Sequence, residues 1–202
     1  NWAVAGSDVS AADFAGGVLP SGQISFAAGE TSKVLTINVA GDRTVEKNEI
    51  FEVRLAVSAT GTTASPIEAL GLIRNDDSNI SILPLNTDQS EGVTATTPFT
   101  FRVARKGDIS TAATVAFNVI GSGTNPALAS DFGGTFPNGT ITLAPNQSFR
   151  DITINASGDL IVEPDETFNV VLSNPSGGIL LGTSTAPGVI RNDDTSFAIA
   201  AT

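Results

Sequence analysis

The chain contains no cysteine, histidine, methionine or tyrosine and a single tryptophan, Trp2. Without thiols it can form neither disulfides nor thiolate metal sites, and without histidine it lacks the side chain that most readily moves protons near neutral pH. Zinc, which favours Cys and His donors, is a poor fit to such a sequence. Basic residues are also sparse, with 10 Lys and Arg against 21 Asp and Glu, giving a net charge of −11. A field of that sign repels phosphate backbones and anionic lipid heads, which argues against a nucleic-acid partner. No apolar run approaches the roughly 20 residues needed to cross a bilayer as a helix, so no membrane insertion is expected.

What remains is apolar enough to fold. Hydrophobic residues make up 41% of 202 positions, which sets the chain apart from disordered acidic tails. Its length suits one large domain or two of about 100 residues.

An internal repeat decides between these. Residues Gly16 to Asp77 align without gaps on Gly133 to Asp194, with roughly 25 of about 62 positions identical. The run GDRTVEKNEIFEVRL (Gly41–Leu55) matches GDLIVEPDETFNVVL (Gly158–Leu172), and GLIRNDD (Gly71–Asp77) matches GVIRNDD (Gly188–Asp194). Upstream, Trp2–Ser7 matches Phe117–Ser122, and Asp13-Phe14 matches Asp131-Phe132. The expected organisation is an N-terminally incomplete repeat over residues 1–77, lacking its first two strands, and a complete repeat over 78–194. Residues 195–202 would then be the first strand of a following repeat, or a strand donated to a neighbouring molecule. Such a chain reads as a window on a longer array.

Period-two alternation appears at Phe99/Phe101/Val103, Val115/Phe117/Val119, Ile152/Ile154 and Phe168/Val170/Leu172. In the first repeat it appears at Leu35/Ile37/Val39 and Phe51/Val53/Leu55/Val57. Gly, Pro and Asn punctuate between these runs, and no window reads as helix. The fold class is therefore all-β, an antiparallel sandwich in each repeat. The seven strands expected in the complete repeat are 79–85, 98–105, 113–120, 139–143, 150–156, 167–173 and 186–192.

If successive strands run up and down, the carboxylates collect at one pole. Glu91 falls in the first connection, Asp131 in the third, Asp159, Glu163, Asp165 and Glu166 in the fifth, and Asp193 and Asp194 just past the last strand. Like charges so crowded oppose folding unless a cation sits among them. Calcium, a hard ion taking roughly 6–8 oxygens, fits this donor chemistry better than magnesium's tight octahedron. The first repeat offers Asp13, Asp42, Glu46, Glu49, Asp76 and Asp77, with Lys47 and Asn48 in place of Pro164 and Asp165. Its site is expected to be weaker, or completed by another chain. The bland alternative is a set of solvated acidic loops.

Several other features have structural readings. Arg74 and Arg191 adjoin the acidic pairs and are expected to make a structural salt bridge or to cover the sandwich end, and Trp2, aligned with Phe117, is expected in the core. Asn79, Asn138, Asn146 and Asn155 lie in N-x-Ser/Thr sequons that chance accounts for in a Ser/Thr-rich chain.

At Asp131-Phe132, Gly158-Asp159, Glu163-Pro164-Asp165-Glu166-Thr167-Phe168 and Ile190-Arg191-Asn192-Asp193-Asp194 the sequence resembles the Calx-β domain. That resemblance implies immunoglobulin-like sandwiches in tandem with calcium held by the end loops. The ligands it implies are Glu91, Asp131, Asp159, Glu163, Glu166, Asp193 and Asp194, with the Ile161 carbonyl as a further donor, and Asp13, Asp42, Glu46, Glu49, Asp76 and Asp77 in the first repeat. Gly158, and Thr195 and Ser78, stand where calcium-sensing members carry further acids, which implies fewer ions per repeat. The function expected is a calcium-binding structural or adhesive module of an extracellular or cell-surface protein or filament, partnered by neighbouring repeats and with calcium stiffening the junctions. A lectin-like ligand-binding module is the alternative. An enzyme is not expected: Glu163 and Asp131 could mimic a glycosidase couple, but the same acids recur in both copies.

Overall fold

Alternating apolar residues bounded by glycine, proline and asparagine give strands throughout. The computed structural model describes residues 1–56 and 67–197. It divides into two compact units, Asn1–Asp77 and Ser78–Thr202.

The second unit is a β-sandwich of the immunoglobulin-like type. One sheet contains β5 (Ser78–Asn86), β7 (Thr96–Gly107), β10 (Phe149–Ser157) and β12 (Leu180–Leu181) in the order β10-β7-β5-β12. The other contains β6 (Asp88–Ser90), β8 (Ala113–Ser122), β9 (Asn138–Leu143), β11 (Glu166–Ser173) and β13 (Thr185–Arg191) in the order β6-β13-β11-β8-β9. The inward members of each alternation meet in a single core: Ile80, Ile82, Phe99, Phe101, Val103 and Ile154 from one side, Val115, Val119, Leu143, Phe168, Val170 and Ala186 from the other. Phe168 is its hub, with the rings of Phe99, Phe101 and Phe132 packed edge-on at 5.4, 6.0 and 5.3 Å. Its ring lies over Gly188, where an added Cβ would fall 2.3 Å from it. The repeated glycine is therefore a seat for the repeated phenylalanine.

The first unit contains β1 (Trp2–Ala5), β2 (Ser21–Gly22), β3 (Glu49–Leu55) and β4 (Ile67–Ile73) in one sheet ordered β2-β1-β3-β4. Its core is small: Val4, Val9, Phe14 and Phe51, flanked by half-buried Trp2, Ile37, Val53 and Ile73. Phe14 meets Phe51 edge-on at 5.5 Å, repeating the Phe132–Phe168 contact.

The expected all-β sandwich is present with two short parallel strands added, and one expected strand of the first unit is absent. The pairing is not wholly antiparallel, because β6 and β12 run parallel to β13 and β5. Both are too short to show a periodic pattern. The alternation Leu35/Ile37/Val39 forms no strand; only an isolated bridge joins Val39 to Phe14. In the second unit the aligned β10 is held by β7, and the first unit has no segment aligned with β7. Among the described residues the first unit has one sheet where the second has two, and Phe26 and Val39 are 56% and 50% exposed, while the aligned Leu143 and Ala156 are fully buried. Val57 lies outside the described residues, as do 198–202 of the expected third-repeat strand; Thr195–Phe197 are not in a strand.

Candidate metal centre

The up-and-down strand order brings four separate loops to one pole of the second unit. Two carboxylate triads form there, Asp131/Glu163/Glu166 and Glu91/Asp193/Asp194, each with oxygens within 4.8 Å of one another. The first unit repeats the former as Asp13/Glu46/Glu49. Oxygens on opposite sides of a calcium ion, at about 2.3–2.6 Å from it, are separated by roughly 5 Å, so the spacing suits one shared ion per triad.

Each ligand-bearing loop is shaped by local hydrogen bonds that recur in both units. Asp131 Oδ2 accepts from Leu128 N at 2.6 Å, closing a single 3-10 turn. Asp13 makes the same closure with Ser10 N. Asp159 Oδ1 accepts from Ile161 N at 2.7 Å, as Asp42 Oδ1 does from Thr44 N at 2.6 Å. Asp159 belongs to neither triad, yet its charge reaches Glu91, Glu163 and Asp194. Asp42, Asp76 and Asp77 are likewise outside the first unit's triad but line the same cleft, of about 60 Å³, as Asp13, Glu46 and Glu49.

Two residues not singled out in the sequence organise these loops. Asn192 Oδ1 accepts from Glu163 N at 3.0 Å while its Nδ2 donates to Asp194 O at 3.1 Å. Asn75 does the same for Glu46 N and Asp77 O, both at 2.9 Å. The signal was present in the repeated NDD, whose asparagine is as invariant between the copies as its acids.

Asp165, which the implied ligand set leaves out, has other partners. Its Oδ2 accepts from Arg191 Nη1 at 2.6 Å and its Oδ1 from Asn192 N at 3.2 Å. It faces the arginine and joins neither triad. Arg191 thus forms the expected ion pair, and also holds Asp88.

The electrostatics show that the pole is short of positive charge. Glu91, 4% exposed, has its pKa pushed up to about 7 by burial and then by the charges of Asp159, Glu163, Asp194 and Asp193. Glu166 is pushed up to about 8 by burial and by the hydrogen bond it shares with Asp131 when protonated. Glu163 and Asp194 are raised as well, first by burial and then by neighbouring acids. In the first unit Glu49 is raised by burial and by Asp13 and Glu46, with Lys47 opposing.

One atom makes the deficit specific. Asp194 is a buried residue, and its Oδ2 is closed off from water and has no hydrogen-bond partner; no other such buried side-chain atom occurs among the described residues. A buried carboxylate oxygen left unpaired is costly, and a hard cation between Asp194, Glu91 and Asp193 would satisfy it. The donors, all carboxylates, fit calcium. Where a further acid would stand, Gly158 is enforced by packing: a Cβ there would fall 2.0 Å from the Gly92 carbonyl oxygen.

A family profile described as Calx-beta domain matches residues 6–86 and 76–194. No curated protein matches the chain in sequence. Among solved structures, calcium binding domain CBD12 of CALX1.1 is 31% identical with a TM-score of 0.50; the match covers 57% of this chain and 46% of that one. The apo form of the Calx CBD1 domain is 28% identical with a TM-score of 0.48, covering 57% of this chain and 99% of that domain.

Proposed function

The chain belongs to the Calx-beta domain family, and we propose that its repeats bind calcium through these clusters: two ions in the second unit, one at each triad, and one in the first unit at Asp13, Glu46 and Glu49. Asp159 and Asp42 set the loop shape and add charge, and Asp76 and Asp77 close the first unit's cleft. The observation that carries the reading is the sealed, unpartnered Oδ2 of Asp194, a residue whose carboxylate clusters with those of Glu91 and Asp193. Bound calcium would neutralise the pole and join four loops that are far apart in sequence.

The wider role we propose is that of a structural or adhesive repeat in an extracellular or cell-surface array, partnered by neighbouring repeats. The composition supports it: a cysteine-free, acidic chain has no covalent staple, and an ion can serve as one. Asp76-Asp77 line the same cleft as the first unit's triad and directly precede Ser78, the first residue of the next repeat's strand, so an ion in that cleft would fix the chain just ahead of the next repeat and stiffen the array. The recurrence of the same acids in both units favours a metal role over catalysis.

Calcium titration by calorimetry, with melts in calcium and in chelator, tests the first part. At about a hundredfold excess over Kd, linkage predicts roughly 2.7 kcal/mol of stabilisation for each site, or about 10–20 °C per site in the melting temperature of a unit of about 100 residues. Identical melts and no binding heat would sink it. Small-angle scattering of the two-unit chain, showing the same dimensions with and without calcium, would remove the stiffening role alone.

A further inference from the structure

We propose that Arg191 is a positioning residue for both ion sites of the second unit. Its guanidinium clips the strand leading into Glu91 to the loop carrying Glu163 and Glu166, so that the carboxylates are gathered before any ion arrives. The inference rests on the calcium reading for its consequence, though the clip itself is a property of the metal-free protein.

The geometry is that of a fork with both tines engaged. Nε and Nη2 donate to the two oxygens of Asp88, each at 2.7 Å, and Nη1 donates to Asp165 Oδ2 at 2.6 Å. Asp88 opens β6, three residues before Glu91. Asp165 lies between Glu163 and Glu166. The backbone of Arg191 works in the same sense: its carbonyl accepts from Glu91 N at 3.1 Å, and it stands beside Ser90 in the parallel pairing of β13 with β6. Asp165 is held at its second oxygen by Asn192 N. One residue therefore fixes both loops relative to the strand end from which Asp193 and Asp194 emerge.

A lone exposed ion pair would contribute little, but bidentate and networked arginine pairs are the exception. Arg191 also neutralises Asp88 and Asp165, two carboxylates outside the triads. In the first unit Arg74 aligns with Arg191, but Asn48 replaces Asp165 and no residue aligns with Asp88. Asn48 Oδ1 keeps the bond from Asn75 N at 2.9 Å yet offers an arginine no charge. The clip belongs to the second unit alone, so the two units are expected to fill at different calcium concentrations.

The sign of the effect separates positioning from simple electrostatics. Arg191→Gln removes a positive charge near the site and frees two carboxylates, which by Coulomb's law should tighten calcium binding. The clip predicts the opposite. Groups that orient ligands typically change metal affinity by 10–100-fold, and a weakening of roughly that size is expected by calorimetry on the whole chain. Arg191→Lys, which can hold one carboxylate but not both, should lie between. Unchanged or tighter binding in Arg191→Gln would overturn the proposal, even if the melting temperature fell. Should that variant not fold, Asp88→Asn removes one tine only and is expected to weaken binding in the same direction; an unaltered affinity there overturns the proposal equally.

Hydrogen exchange in chelator keeps the proposal distinct from the calcium reading. The Glu91 and Asn192 amides should exchange faster in Arg191→Gln than in the wild type. Equal rates would refute the clip whether or not the protein takes up calcium, whereas a wild type that binds none would refute the calcium reading alone.

Discussion

Two asparagines, Asn75 and Asn192, show how a loop of like charges can be built without an ion. Each accepts from the amide of a glutamate in one loop and donates to the carbonyl of the second aspartate of the acidic pair in its own. The loops are thus tied by neutral groups, leaving the carboxylates free to converge. Asn192→Ala would leave the Glu163 amide and the Asp194 carbonyl without these partners, at a cost of about 1–3 kcal/mol if both are unpaired. The expected outcome is a lower melting temperature in chelator together with weaker calcium binding, since the ligand loops lose their mutual reference. A second pair of residues tests packing. Gly188→Ala would drive a methyl into the Phe168 ring, which the surrounding core rings hold in place, and should cost about 1–3 kcal/mol. Gly71→Ala meets Phe51 at a comparable 2.2 Å, but Phe51 belongs to a much smaller core. It should have room to turn, so denaturant melts should show the smaller loss at Gly71.

At the level of strands, all seven expected in the complete repeat are present, from β5 at Ser78–Asn86 to β13 at Thr185–Arg191. Their alternation was legible because both sheets bury one face in a shared core. What could not be read was partnership. Leu35/Ile37/Val39 carries the same pattern as Ile152/Ile154, and only a hydrogen-bonding neighbour distinguishes them; β10 has β7, and the first unit has no equivalent. The acids of the pole were legible as a group, because loop parity along an up-and-down sandwich dictates which connections share an end. Loop parity alone places Asp165 with Glu163 and Glu166; only the resemblance left it out of the ligand set, and the direction in which its side chain turns depends on Arg191, 26 residues away in sequence. Hydrogen exchange gives the corresponding test. The amides of β10 that bond to β7 should be protected well beyond those of residues 35–39, although the two segments have similar composition; equal rates would show that partnership is not the controlling difference.

For the whole molecule, of net charge −11, the governing quantity is the charge gathered within each unit, most of all at the pole of the second. In the metal-free protein Glu91 and Glu166 hold their protons up to about 7 and about 8, against an ordinary value of 4.5. The folded state therefore binds these protons more tightly than the unfolded chain does. Below about pH 4.5 both states are protonated and the difference vanishes. As pH rises from there towards 8, the unfolded chain releases its protons first, and metal-free stability falls by an amount on the order of a few kcal/mol. This is the reverse of a salt-bridged acid, which stabilises as it ionises. Calcium should invert the trend, because the ion requires the deprotonated ligands and its affinity rises over the same range. Melts in chelator are thus expected to show a protein more stable at pH 5.5 than at pH 8, with added calcium having its largest effect at pH 8. Salt should partly mimic the ion by screening the exposed part of the repulsion, but it cannot satisfy Asp194 Oδ2. A metal-free protein whose stability rose with pH over this window would mean that the carboxylates are not crowded in solution, and the pole would then have no need of a cation.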